Sequence, residues 1–147
     1  MKAIVVNDLS GLEGLQLQDF PEPTVRPRGV VVEIKTAALN FPDVLQPKGL
    51  YQDQPDLPFV LGLEFSGIVR EAGADCRRLK AGDRIVGMGQ GALGEYSSAR
   101  EQMCFKLPDS LSHDVGAAIP LAGGTAMYGL RYCGRLAAGE TLVVLGA

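Results

Sequence analysis

The chain has no tryptophan, one histidine and three cysteines among its 147 residues. Cys76, Cys104 and Cys133 are widely spaced, form no CxxC and cannot all pair. The simplest reading is a reduced, cytoplasmic protein whose cysteines serve as small apolar fillers. Zinc needs three or four N, S or O ligands in fixed geometry, and the supply of histidine and cysteine is too thin to build one. No apolar run approaches the roughly 18–20 residues that span a bilayer. The opening MKAIVVNDLSG is too short and too early-charged for a signal peptide. A formal charge of −3 gives no basic excess to draw nucleic acid or an anionic membrane. Repeats and low-complexity segments are absent.

What is present is glycine, 19 residues, and proline, 9 residues. Together they predict many short strands and turns, not a helical bundle. Short β-rich runs occur at KAIVV (2–6) and LQLQDF (15–20). VVVEIKTAAL (30–39) is the clearest strand, with Val32, Ile34 and Thr36 on one face and Val31, Glu33 and Lys35 on the other. Residues 40–58 carry four prolines and read as a long irregular segment, which in a compact domain is often functional. Further strands are predicted within 64–73, 79–89 and 94–100. The character then changes. Ser112 caps a short helix, HDVGAAI, that Pro120 ends or kinks. TAMYGLRYCGRLA (125–137) places Ala126, Leu130, Cys133 and Ala137 on one helical face. TLVVL (141–145) reads as a buried strand.

Six segments together, AALNFPDVL, GLYQ, LPFVLGLEFSGIV, LKAGDRIVG, GEYSSAR and LPDSLSHDVGAAIPLAGGTAMYGL, resemble the N-terminal part of a medium-chain dehydrogenase/reductase. The likeness is strongest to the zinc-free NADPH:quinone oxidoreductase branch and covers essentially the whole chain, in order. It implies a mainly β fold with a few helices. Residues 1–120 would form a GroES-like β-barrel, the substrate and catalytic domain. Residues 121–147 would supply the linking helix and first strand of a Rossmann NADPH-binding domain. In the family that strand runs into a glycine-rich turn holding the pyrophosphate at a helix N-terminus. The chain is therefore expected to be a substrate-domain fragment, inactive alone. Strand 141–145 is expected to be disordered, swapped or docked on a neighbour. The family dimer contact uses largely the cofactor domain, which leaves a homodimer open.

The resemblance also assigns candidate site residues. Asn40 would lie near the nicotinamide; read alone, it starts a loop well. Tyr51 would line the substrate pocket, or protonate carbon in relatives that reduce enoyl thioesters; read alone, it packs its ring with the hydroxyl in water. Thr125 would approach the nicotinamide amide; read alone, it is a helix N-cap. Zinc-dependent relatives carry Gly-His-Glu where this chain has Gly62-Leu63-Glu64, and leucine cannot ligate a metal. Asp43 and Glu64 are acidic residues in family segments, and Glu64 then reads as a structural carboxylate, hydrogen-bonded inside the cleft. Asp83 and Arg84 read as turn chemistry, and His113 as a surface residue. Phe41, Leu63 and Met88 are candidates for an apolar substrate wall. The substrate would be a small molecule, a quinone or alternatively an enone or enoyl thioester. A non-catalytic GroES-like binding module, using 40–58 as a mobile loop, is the reading from another class.

Overall fold

The computed structural model describes residues 1–145. Eight strands and short helices follow one another as β1 (Lys2–Val6), β2 (Leu15–Asp19), β3 (Gly29–Ala38), α1 (Phe41–Leu45), β4 (Phe59–Val60), β5 (Glu64–Ala72), β6 (Arg84–Met88), β7 (Tyr96–Arg100), β8 (Cys104–Lys106), α2 (His113–Ala117) and α3 (Gly124–Met127). The strands form two antiparallel sheets. One has the order β2-β1-β4, the other β7-β3-β5-β6-β8. β1 also meets the loop between β6 and β7, with Ile4 N–H to the Leu93 carbonyl at 2.9 Å and Glu95 N–H to the Lys2 carbonyl at 3.1 Å.

β3 is the spine of the larger sheet, paired to β5 on one side and β7 on the other. Val30 and Val32 join Phe65, Val69, Ile85 and Cys104 in the main core. Val31, on the strand face of Glu33 and Lys35, is also buried at 4% exposure. A register shift against β5 falls between Val31 and Val32, and such an irregularity breaks a strict in–out rhythm. Smaller clusters seal the other sheet, around Ala3, Val5 and Val60, and around Val6, Phe59 and Leu61.

Several elements differ from expectation. The segment 40–58 is not irregular throughout. It opens with α1, held by a reciprocal start in which the Asn40 N–H meets Asp43 Oδ2 at 2.7 Å and the Asp43 N–H meets the Asn40 carbonyl at 3.0 Å. Strands β4 and β8 escaped prediction because two or three residues show no alternation. Ser112 does cap α2, accepting from Val115 N–H at 3.3 Å. As expected, α2 ends just before Pro120, at Ala117, with Ala118 leaving the helical conformation. Pro120 itself sits in the first turn of a new run, π-helical at Ile119–Gly123, then α3, then π-helical at Tyr128–Cys133. A first-turn proline has no intrahelical N–H to lose. The run stops at Gly134, so Ala137 is outside it, and Ala126 and Cys133 on the expected apolar face are exposed.

The expected strand 141–145 is not formed. Its residues have no strand conformation, and Val143, Val144 and Leu145 are exposed at 73%, 65% and 90%. A strand needs a neighbour to take its N–H and C=O groups, and among the described residues none pairs with it. The glycine-rich turn expected after it falls on 146–147, outside the described residues.

Candidate functional site

A wide cleft of about 1670 Å³ opens between the two sheets and the start of the 119–133 run. It is larger than the roughly 300–1,000 Å³ that usually holds one small molecule. Tyr51, Leu63, Met88, Gln90 and Leu121 are on its wall. Tyr51, Leu63 and Met88, read from the sequence as candidates for a substrate wall, are among the cleft-lining residues. Phe41 is not: it is 73% exposed and outside the cleft lining.

Two glycines shape the wall. Gly49, at φ 66°, lets the chain turn left-handed just before Tyr51. Gly62, at φ 99°, admits the backbone of Leu93, whose nitrogen would lie 2.7 Å from a Cβ there. That close approach brings Leu63 to the cleft and Glu64 behind it.

Glu64 is 1% exposed. Its Oε2 accepts from Asn40 Nδ2 at 2.9 Å, and its Oε1 accepts from the Leu121 backbone N–H at 2.5 Å. This agrees with the expected hydrogen-bonded carboxylate. Asn40 therefore reaches the site from behind the wall and is not among the cleft-lining residues. Asp43, 3% exposed, lies in the same buried cluster. Burial pushes its carboxyl above the ordinary range, the Glu64 charge acts in the same direction, and the Asn40 N–H opposes both. Thr125 is exposed in the middle of continuous helical backbone. It is not an N-cap, since Gly123 and Gly124 before it are already helical. It stands about one turn beyond Leu121.

An amide network passed unnoticed in the sequence. Gln46, 1% exposed, donates from Nε2 to Gln90 Oε1 and to the Asp53 carbonyl, both at 3.2 Å. Gln90 donates to the Val60 carbonyl at 2.7 Å, and Gln54 to the Gln46 carbonyl at 3.0 Å. These bonds hold the segment bearing Tyr51 against the cleft wall. Only the density of glutamines in 46–54 hinted at them.

His113 is not a surface residue. It is half-buried, with Nδ1 2.6 Å from Ser66 Oγ. Asp83 and Arg84 are structural, as expected. Asp83 accepts from Lys80 N–H and pairs with Lys106, while Arg84 donates to the Pro108 and Leu111 carbonyls. Cys104 fills the core, and burial pushes its thiol up to about 12. Cys133 is exposed and is no filler. Among the described residues no three His, Cys, Asp or Glu side chains converge as metal ligands would.

Residues 26–109 match the family of the alcohol dehydrogenase GroES-like domain. The chain belongs to this family, within the medium-chain dehydrogenase/reductases, and its β-rich fold is GroES-like. It is 33% identical over 147 residues to quinone oxidoreductase-like protein 2 of Rattus norvegicus, covering 99% of this chain and 41% of that protein. It is 38% identical to a quinone oxidoreductase of Pseudomonas aeruginosa, covering 90% of this chain and 41% of the relative. Among solved structures, the quinone oxidoreductase of Escherichia coli complexed with NADPH superimposes with a TM-score of 0.85 at 32% identity, covering 90% of this chain and 41% of that one. The chain thus spans about two-fifths of the length of these relatives.

Proposed function

We propose that the chain is the substrate-side part of a zinc-independent, NADPH-dependent oxidoreductase that reduces quinones by hydride transfer. The observation that carries this reading is the cleft wall of Tyr51, Leu63 and Met88, backed by a Glu64 carboxylate whose two oxygens are already taken. Leu63 offers no metal-ligating atom, and Glu64 is committed to N–H donors. A flat, apolar acceptor suits such a wall, and the Tyr51 phenol offers it one hydrogen bond. The names of the relatives favour a quinone over other acceptors.

In this reading the nicotinamide end of NADPH would meet the apolar wall, with the Asn40 amide and the Thr125 hydroxyl, both outside the cleft lining, as its polar contacts. The bound nucleotide supplies the hydride. The protein would hold the acceptor beside the wall, and a quinone that has taken the hydride needs one proton, from solvent, to become the hydroquinone. In this reading residues 1–120 are the substrate domain and 121–147 begin the cofactor domain, in a cytoplasmic protein that keeps its thiols reduced.

The test follows NADPH consumption by the full-length protein with benzoquinone and with crotonyl-CoA, for wild type and Tyr51→Phe. Benzoquinone turnover is expected, changed less than about threefold in the variant, because a wall residue loses only one hydrogen bond. Turnover of crotonyl-CoA alone, falling roughly 100-fold or more in Tyr51→Phe, would replace the quinone reading with alkene reduction and a tyrosine proton donor.

A further inference from the structure

Glu64 joins two parts of the chain that are 24 and 57 residues away from it in sequence. One oxygen holds the side chain of Asn40, at the start of α1. The other holds the backbone of Leu121, at the start of the helical run that carries Thr125. A carboxylate can only accept, so Asn40 must turn its amide nitrogen toward Glu64 and its oxygen away. No Lys or Arg pairs with this carboxylate among the described residues. Its two N–H bonds are charge-assisted and short, and they are its compensation for burial.

We propose that Glu64 is a positioning residue for the reaction. It sets which end of the Asn40 amide faces the site, and it locks that amide to the segment bearing Thr125. This rests on the reading above that Asn40 and Thr125 meet the nicotinamide. Glu64 itself touches neither substrate nor nucleotide.

The geometry makes the test specific. In Glu64→Gln the peptide N–H of Leu121 cannot turn round, so the new amide must give it the oxygen. The new NH₂ then faces Asn40, whose amide has to flip. Adding Asn40→Asp restores both bonds, with donor and acceptor exchanged between positions 40 and 64. The experiment measures NADPH affinity by fluorescence titration, and kcat and KM for benzoquinone, in the full-length protein.

Glu64→Gln is expected to weaken NADPH binding and lower kcat by roughly tenfold or more, with KM for benzoquinone little changed. Asn40→Asp alone sets three carboxylates together and is expected to be no better. The double variant is expected to recover NADPH affinity to within about threefold of wild type, a non-additivity that direct partners show. A Glu64→Gln protein with wild-type NADPH affinity and kcat overturns the proposal, as does a double variant no better than the poorer single one. If neither glutamine variant folds, Glu64→Asp decides. It keeps the charge but withdraws it by one methylene, and unchanged NADPH affinity there also overturns the proposal. Wild type that binds NADPH but reduces no quinone sinks the substrate reading alone, and the cycle is still read in affinity. Wild type that binds no NADPH overturns both.

Discussion

Ser66 and His113 show how one pair sets a protonation state. Ser66 Oγ, fully buried, donates its only proton to the Ile85 carbonyl at 2.9 Å. Toward His113 it can only accept, so the imidazole carries a proton on Nδ1. Burial lowers the His113 pKa, and Arg84 and Lys35 lower it further, while Asp114 opposes them. The unfolded chain then binds more protons than the folded one just below the usual histidine value of about 6.5. Stability is fully present above that value and falls as pH drops through the window between it and the lowered folded value. Thermal melts from about pH 7 to about pH 5 should show this loss in wild type and a smaller one in His113→Asn, which keeps a donor toward Ser66 but cannot take up a proton. Equal losses in both proteins would assign the acid sensitivity to other groups.

At the scale of elements, the β3–β5 pairing is the most demanding contact. Gly67 lies opposite Ile34, and a Cβ there would stand 2.2 Å from the Glu33 carbonyl oxygen. The strands must separate to admit it. Gly67→Ala is expected to cost about 2–3 kcal/mol in denaturant unfolding, the range for overfilling a packed interior. Gly124 gives the contrast: it is helical, and a Cβ there meets nothing within 4 Å. Gly124→Ala is expected to leave stability unchanged or raise it by up to about 1 kcal/mol. Similar losses at both sites would mean that the strand contact is not what makes Gly67 necessary.

Across the whole molecule, the two sheets hold the core and residues 124–145 lie largely outside it. Met127, Tyr132 and Leu145 are exposed at 59%, 73% and 90%, and the described residues offer them no cover. Local stability follows buried contacts. Amide hydrogen exchange of this chain should therefore be much faster in 124–145 than in β3, β5 and β6. In the full-length protein the same segment should gain protection, since the proposed cofactor domain would cover it. Slow exchange of 124–145 in this chain alone would contradict both the exposure and that proposal.

The sequence by itself determined the β-rich class, most strand positions and the Ser112 cap. These follow from local chemistry: alternation, turn residues and motifs each lie within a few neighbouring positions. The start of α1 was also within reach, because an acidic residue three positions after Asn40 is a helix-start signal. Only the tertiary structure decided the rest. It buried Val31, joined Gln46 to Gln90, set His113 on Ser66, and tied Asn40 and Leu121 to one carboxylate. Among the described residues it also left 141–145 without a sheet partner, although its composition reads as strand. Each of these outcomes depends on atoms dozens of residues apart in sequence, and a hydrogen bond or a buried face exists only when folding brings its second half alongside.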